Sequence, residues 1–343
     1  MDRVDSTSLS RITPPAIQGA VYRHPRIAFA IIHRSFSPTE IFDSMMREKP
    51  SPADLEVEFC ILCGSVANEA LVVRGFKIAQ CSSCGHQFLP SPISQDHVAQ
   101  TYSDAYFFGG GAGYTNYLEQ QPLLEKRGAQ YAKIVEKHLG RKGKVFDVGA
   151  AAGFLMQGWL NQDWAATGIE PNLSMVQHGK ECDLDLHHGV FEDSPAWAKE
   201  SYDCVSMVQV ISHLPSPIEA LRLAYTMLKP NGILLVETWD RTSWIASAMK
   251  GGWHEYSPPS VLHWFHRKSL TNAANLVGFE FIESQRALRW LNVGHAKSLL
   301  KHMSATSKLA SMASIVATVF PSQMNVLYPG DDLFWALFRK PNS

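Results

Sequence analysis

The chain has 343 residues, 45% hydrophobic and 18% charged, with nine Trp. That composition excludes a disordered chain, and the length suits about two domains or one large domain with an appendage. The formal net charge of −1 gives no field that would draw in a nucleic acid, and no apolar run approaches the ~18 residues of a membrane span.

Residues 1–58 read as an N-terminal arm of weak periodicity, with the polar lead-in "MMREKPSPADL" at 45–55. Met45 or Met46 is an alternative start, which would make 1–44 an extension; an ordinary arm fits equally. No signal-peptide pattern is evident, and "IAFAII" (27–32) is too short to span a bilayer, so a cytoplasmic protein is expected.

Residues 59–90 form a compact cysteine module. Cys60, Cys63, Cys81 and Cys84 follow C-x2-C-x17-C-x2-C. Zinc takes four ligands in a tetrahedron, with sulfur about 2.3 Å away. Each CxxC turn offers two thiolates on one side, and Gly64 and Gly85 permit the tight knuckle after each pair. A closed structural Zn2+ site follows, with no open position for chemistry. The alternative is two reduced dithiols. His86 is a spare ligand, and the lone Cys182 and Cys204 are expected to be buried apolar residues.

Residues 91–140 read as a lid or linker followed by a helix. "TYSDAYFFGGGAGY" (101–114) has loop composition, and Tyr117, Leu124, Tyr131, Ile134, Val135 and Leu139 mark one face of a helix over 117–139. From 141 to 343 short apolar strands alternate with amphipathic helices. Strands are predicted at 144–149, 165–171, 184–189, 202–210 and 232–239, with helices at 154–162, 172–181 and 216–230. A further helix and strand fall in 270–284, a helical apolar insertion at about 290–325, and a last strand at 331–341. This alternation predicts an α/β fold with a doubly wound, mostly parallel sheet.

In "VFDVGAAAGFL" (145–155), Asp147 ends a strand and Gly149, Ala151 and Gly153 follow at alternate positions. Small residues there let the backbone turn sharply and approach a ligand. Glu170 ends the next strand, where a carboxylate can accept ribose hydroxyls. Alone, this loop reads either as a dinucleotide fingerprint or as a tight βα turn.

Five segments in order narrow it: "VFDVGAAAGF", "TGIEP", "GVFED", "YDCVSMVQVISHLPSP" and "LKPNGILLVET". With them, residues 144–240 resemble a class I S-adenosylmethionine-dependent methyltransferase. "CILCGS…CSSCGHQF…TYSDAYF" ahead of them resembles a subgroup with an N-terminal zinc ribbon, which includes sugar-nucleotide and metabolite methyltransferases. The resemblance spans roughly 59–285. It implies a Rossmann-like sheet and S-adenosylmethionine as cofactor. It also implies that Asp147, Gly149, Ala151 and Gly153 surround the methionine moiety and that Glu170 holds the ribose. Phe191 and Glu192 would border the adenine, and Gln209 would face the sulfonium methyl. The chain departs from the family at Ala151, where a glycine is usual, and at Ser212–His213, where the family has Glu-His. At "SVLHWF" (260–265) the Glu-His pair of the sugar C-methyltransferases is absent, as is their C-terminal domain.

His213 follows the fourth strand of that pattern and is the first candidate base or substrate contact, the alternative being a cap on the next helix. "GGWHEYSPPSVLHWFHRKSL" (251–270) supplies His254, Tyr256 and His263 as further candidates, against aromatic packing under a loop. Tyr102 and Tyr106 are expected to close over the site. The expected function is methyl transfer to O or C of a small metabolite, sugar-linked acceptors included. Two other readings stand beside it. In one, the ribbon grips RNA, although residues 59–90 hold only Arg74 and Lys77 as cations against Glu69. In the other, the missing glutamate marks an inactive binding protein.

Overall fold

The computed structural model describes residues 58–90, 101–108, 116–194, 199–288, 290–292, 325–328 and 330–342. The N-terminal arm, most of the 91–115 loop and the core of the apolar insertion (293–324) lie outside the described residues.

The cysteine module opens with β1 (Glu58–Phe59), β2 (Val66–Val73), β3 (Phe76–Cys81) and β4 (Gln87–Phe88). β2 and β3 pair antiparallel through a two-residue turn at Arg74 and Gly75, both at positive φ (50° and 83°). That turn matches the twist of a hairpin. The sheet order is β1-β2-β3-β4 followed by β10 (His263–Trp264), which pairs antiparallel with β4. The fifth strand of the ribbon sheet therefore comes from a segment 175 residues further along the chain than Phe88 (His263↔Phe88).

A short helix, α1 (Asp104–Phe108), precedes a 3-10 turn at Tyr117–Gln120 and α2 (Gln121–Leu139). The alternation follows in chain order: β5 (Lys144–Val148), α3 (Phe154–Leu160), β6 (Ala165–Glu170), α4 (Leu173–Glu181), β7 (Asp185–His188), β8 (Tyr202–Val208), α5 (Pro217–Met227), β9 (Leu228–Trp239) and α6 (Trp244–Met249). After β10 come α7 (Arg267–Val277), β11 (Glu280–Arg286), β12 (Trp290–Asn292), β13 (Asn325–Leu327) and β14 (Leu333–Arg339). The predicted strands and helices are present, with ends moved by a few residues. The ends of the insertion differ: 290–292 and 325–327 are strands paired antiparallel, not helix.

The main sheet has the order β11-β14-β9-β8-β5-β6-β7. β5 through β9 run parallel, while β14 is antiparallel to both β9 and β11. Buried on both faces, its central strands are almost continuously apolar, as in β5, β8 and "ILLV" of β9. From β5 the chain winds outward one way to β6 and β7 and the other way to β8 and β9. The crevice at the carboxyl ends of β5 and β8 is therefore the switch point where open α/β sheets bind ligands.

Two glycines set the layer over this switch point. A Cβ at Gly128 of α2 would lie 2.1 Å from the Leu155 carbonyl oxygen, and one at Gly158 of α3 would lie 2.1 Å from that of Glu125. α2 and α3 thus cross with backbone against backbone. Cys204 is buried in β8, but Cys182, expected to be buried, is exposed at the end of α4. No helix among the described residues is long and apolar enough to cross a membrane.

Candidate functional site

The turn from β5 into α3 is built on left-handed backbone. Gly149, Ala151 and Gly153 have φ of 64°, 48° and 79°. A Cβ at Gly149 would meet Val210 at 2.7 Å, and one at Gly153 would meet Leu184 at 2.4 Å. The left-handed φ favours glycine at both, and a side chain at either would displace the Val210 or Leu184 methyl. Ala151 bears the strain of its methyl, and Glu170 offsets it: Glu170 Oε2 accepts from the Ala151 N–H at 2.9 Å. The other oxygen accepts from the Asn172 N–H at 2.8 Å. Burial pushes the Glu170 carboxyl up to about 7, opposed by those two N–H donors.

Asp147 is buried beneath the same turn. One oxygen accepts from the Ser206 hydroxyl of β8 at 2.5 Å; Oδ2 has no hydrogen-bond partner among the described residues. Burial again raises this carboxyl, to about 7, with the Ser206 bond acting against it. Phe191 is buried against Phe146 of β5, and Glu192 beside it is exposed. Gln209 follows the last residue of β8 at φ 59°, half-buried at the switch point.

Three segments converge beyond β8. Asn172 caps α4 by accepting from Met175 N–H, and its Nδ2 donates to the Tyr102 carbonyl (2.9 Å) and to Asp104 (3.1 Å). This seats the 101–108 segment on the β6–α4 turn. The Ser260 carbonyl then accepts from two sides: the Tyr102 hydroxyl at 3.1 Å and His213 Nδ1 at 2.7 Å. Tyr102 stands edge-on to both His213 (5.7 Å) and Tyr106 (5.1 Å). His213 does not cap α5; Ser216 holds that position. A carbonyl only accepts, so Nδ1 carries the proton and the lone pair of neutral His213 is on Nε2. Burial holds the imidazole below its usual 6.5, although the Ser260 bond works the other way.

The remaining candidates are placed differently. His263 lies in β10, fully buried, with Nδ1 3.2 Å from His86 Nε2 and the two rings stacked. The Tyr256 hydroxyl donates to Gln87 Oε1 at 2.6 Å, and its ring packs on Trp253 and Trp264. Both side chains are buried in the seam where segment 253–266 packs on the ribbon. His86, the spare ligand candidate, is likewise held in this seam. His254 is half-buried, its ring edge-on to Trp239 at 4.6 Å and its Nδ1 4.0 Å from Asp332.

In the ribbon, Cys60 and Cys84 sulfurs are 3.6 Å apart, Cys63 and Cys81 3.5 Å, and all four lie within 4.8 Å of one another. A tetrahedron with 2.3 Å bonds spaces sulfurs about 3.8 Å apart. Gly64 and Gly85 have φ of 71° and 70°, and the Ser83 and Cys84 N–H groups point at the Cys81 sulfur at 3.4 and 3.3 Å. The cluster fits a Zn2+ ion, with the outer donors such a site uses.

Sequence reasoning missed Arg127, Tyr131 and Glu237 as a group. Glu237 is the one acid within the apolar run of β9, and Arg127 stands on the apolar face of α2 one turn before Tyr131. A charge in each of two buried stripes was the available signal. Arg127 Nη2 lies 2.5 Å from Glu237 Oε2, and the Tyr131 hydroxyl donates to the same oxygen.

Residues 123–284 match the model of a methyltransferase domain family. The chain is 25% identical to the ubiquinone biosynthesis O-methyltransferase of Histophilus somni (strain 2336), over 40% of this chain and 68% of the relative. It is 27% identical to that of Haemophilus ducreyi, over 43% and 73%. A solved S-adenosylmethionine-dependent methyltransferase from Archaeoglobus fulgidus is 14% identical, covers 65% of this chain and 99% of its own, and superposes with a TM-score of 0.42.

Proposed function

We propose that the chain is a class I S-adenosylmethionine-dependent methyltransferase, a reading supported by its match to a methyltransferase domain family over 123–284 and by its O-methyltransferase relatives, and that it methylates an oxygen or carbon of a small metabolite, sugar-linked acceptors included. S-adenosylmethionine supplies a methyl already activated on a sulfonium. The protein's part is to align the acceptor and to remove a proton where the acceptor is a hydroxyl. The observation that carries this reading is His213. It sits just past β8, its tautomer set by the Ser260 carbonyl, with a neutral Nε2 able to take a proton. That the relatives are O-methyltransferases by name favours oxygen as the acceptor atom. Both ribbon cations turn to the protein itself, Lys77 to Glu69 (3.4 Å) and Arg74 to Ser257 (3.1 Å), which speaks against a phosphate-gripping role.

The residues fit the cofactor. Asp147 Oδ2 is a buried acceptor that a methionine ammonium would satisfy, and the Gly149 and Gly153 turn takes left-handed backbone that favours glycine. Each Glu170 oxygen keeps a second lone pair for a ribose hydroxyl. Phe191 and Glu192 would flank the adenine, and Gln209 the methyl group. The zinc site is read as a fold element, with no step in the transfer.

Isothermal titration of S-adenosylmethionine should give saturable binding that Glu170→Ala weakens by about 1.5–3 kcal/mol, the range for lost bonds to a charged group. An unchanged affinity would remove Glu170 from the site. Methyl-labelled cofactor incubated with a metabolite extract and with RNA should label the small-molecule fraction. Label in RNA would replace the proposal, and binding with no label anywhere would favour a binding protein.

A further inference from the structure

Gln209 has left-handed backbone, a strained state for a residue with a side chain. Glu237 of the neighbouring strand accounts for it. The Gln209 N–H donates to the Glu237 carbonyl at 2.8 Å, and its Nε2 donates to Glu237 Oε1 at 3.0 Å. Glu237 is completely buried; its Oε2 forms an ion pair with Arg127 Nη2 and accepts from the Tyr131 hydroxyl. Burial keeps the Tyr131 phenol well above its usual range, so it stays a donor. A carboxylate only accepts, so the amide of Gln209 has one orientation: nitrogen toward Glu237, oxygen away from it.

Stability alone does not explain this arrangement. Desolvating an ion pair offsets much of its attraction, and a well-packed apolar pair is often as stable. Three polar side chains from α2 and β9 are spent on aiming one amide at the switch point.

We propose that Arg127, Tyr131 and Glu237 are positioning residues that hold the Gln209 amide oxygen toward the sulfonium methyl. This rests on the reading above that Gln209 faces that group. An amide oxygen there accepts C–H···O contacts from a methyl polarised by the positive sulfur, and so centres it for in-line transfer. Arg127, Tyr131 and Glu237 touch no reacting atom; they act through Gln209.

The test uses S-adenosylmethionine labelled with 13C at the methyl, bound to the full chain, and reads its methyl resonance by NMR together with its Kd. In the wild type the bound methyl protons should move downfield of free cofactor. Gln209→Leu should abolish that displacement. The double variant Arg127→Met/Glu237→Leu, which removes both buried charges, should reduce it by at least half while Kd changes less than threefold. Tyr131→Phe keeps the ring and loses only the donor; it should fold as wild type and show a smaller reduction, so it decides the matter if the double variant does not fold. Wild-type resonance in the folded variants would overturn the positioning role and leave the cofactor reading standing. Failure of the wild type to bind labelled cofactor would overturn both.

Discussion

His213 follows β8 at a spacing that allows either a helix cap or a base. Ser216 holds the cap of α5, and the 2.7 Å bond from Nδ1 to the Ser260 carbonyl leaves Nε2 as the acceptor that the proposed base role needs. His213→Ala should lower turnover by about 10²–10⁴ while leaving cofactor affinity close to wild type. Loss of stability with unchanged turnover per folded molecule would return it to a structural role. The pH dependence has a definite sign. The folded imidazole titrates below 6.5, so its neutral form is present at and above that pH. Turnover should fall only as pH drops below 6.5, and the stability linked to the neutral form is lost over that same acid window. An acid limb centred above pH 7 in the initial-rate profile would assign it to another group. At this scale the clustering of the four cysteines and the placement of Asp147 and Glu170 beside the β5–α3 turn were legible, because their residue types and spacings are rare. The burial of Tyr256 and His263 against Gln87 and His86 was not, because their type and loop position are the same whether they face a substrate or a seam.

Between elements, the crossing of α2 on α3 is the tightest requirement. Gly158→Ala would gain about 1 kcal/mol in helix propensity. The new Cβ would meet the Glu125 carbonyl oxygen at 2.1 Å, and overpacking costs about 1–3 kcal/mol or more. The variant should therefore lose about 1–2 kcal/mol net in urea unfolding, whereas Gly251→Ala, with nothing within 4 Å, should be near neutral. Wild-type stability of Gly158→Ala would mean that the two helices can separate without loss. Helix and strand positions were readable from period alone. The crossing was not, since a glycine inside a helical pattern does not say which backbone it admits.

At the scale of the molecule, segment 253–266 and Arg241 tie the ribbon to the main sheet. The segment supplies β10 to the ribbon, Tyr256 to Gln87, and the Ser260 carbonyl to His213. Arg241 donates to the Gly85 carbonyl, and the His266 ring meets that of Cys84 at 3.2 Å. Elemental analysis of protein purified without added metal should find about one zinc per chain. Cys63→Ser should lose the metal, lower the melting temperature and, because His213 is held by the same segment, reduce turnover as well. Stoichiometric metal in that variant would rule out a four-cysteine site.

The order of strands and helices, the cysteine pairs and the glycine-bearing turn after β5 follow from the sequence by itself, because each is a short-range pattern of period, charge or residue type. The strained turn at Gln209, the ion pair that supports it and the shared strand β10 were decided by tertiary structure. They join residues 28, 106, 110 and 175 positions apart (Gln209–Glu237, Tyr131–Glu237, Arg127–Glu237, Phe88–His263). No local pattern encodes such partners, because burial, which makes a lone charge or amide seek one, exists only once the sheet has closed over it.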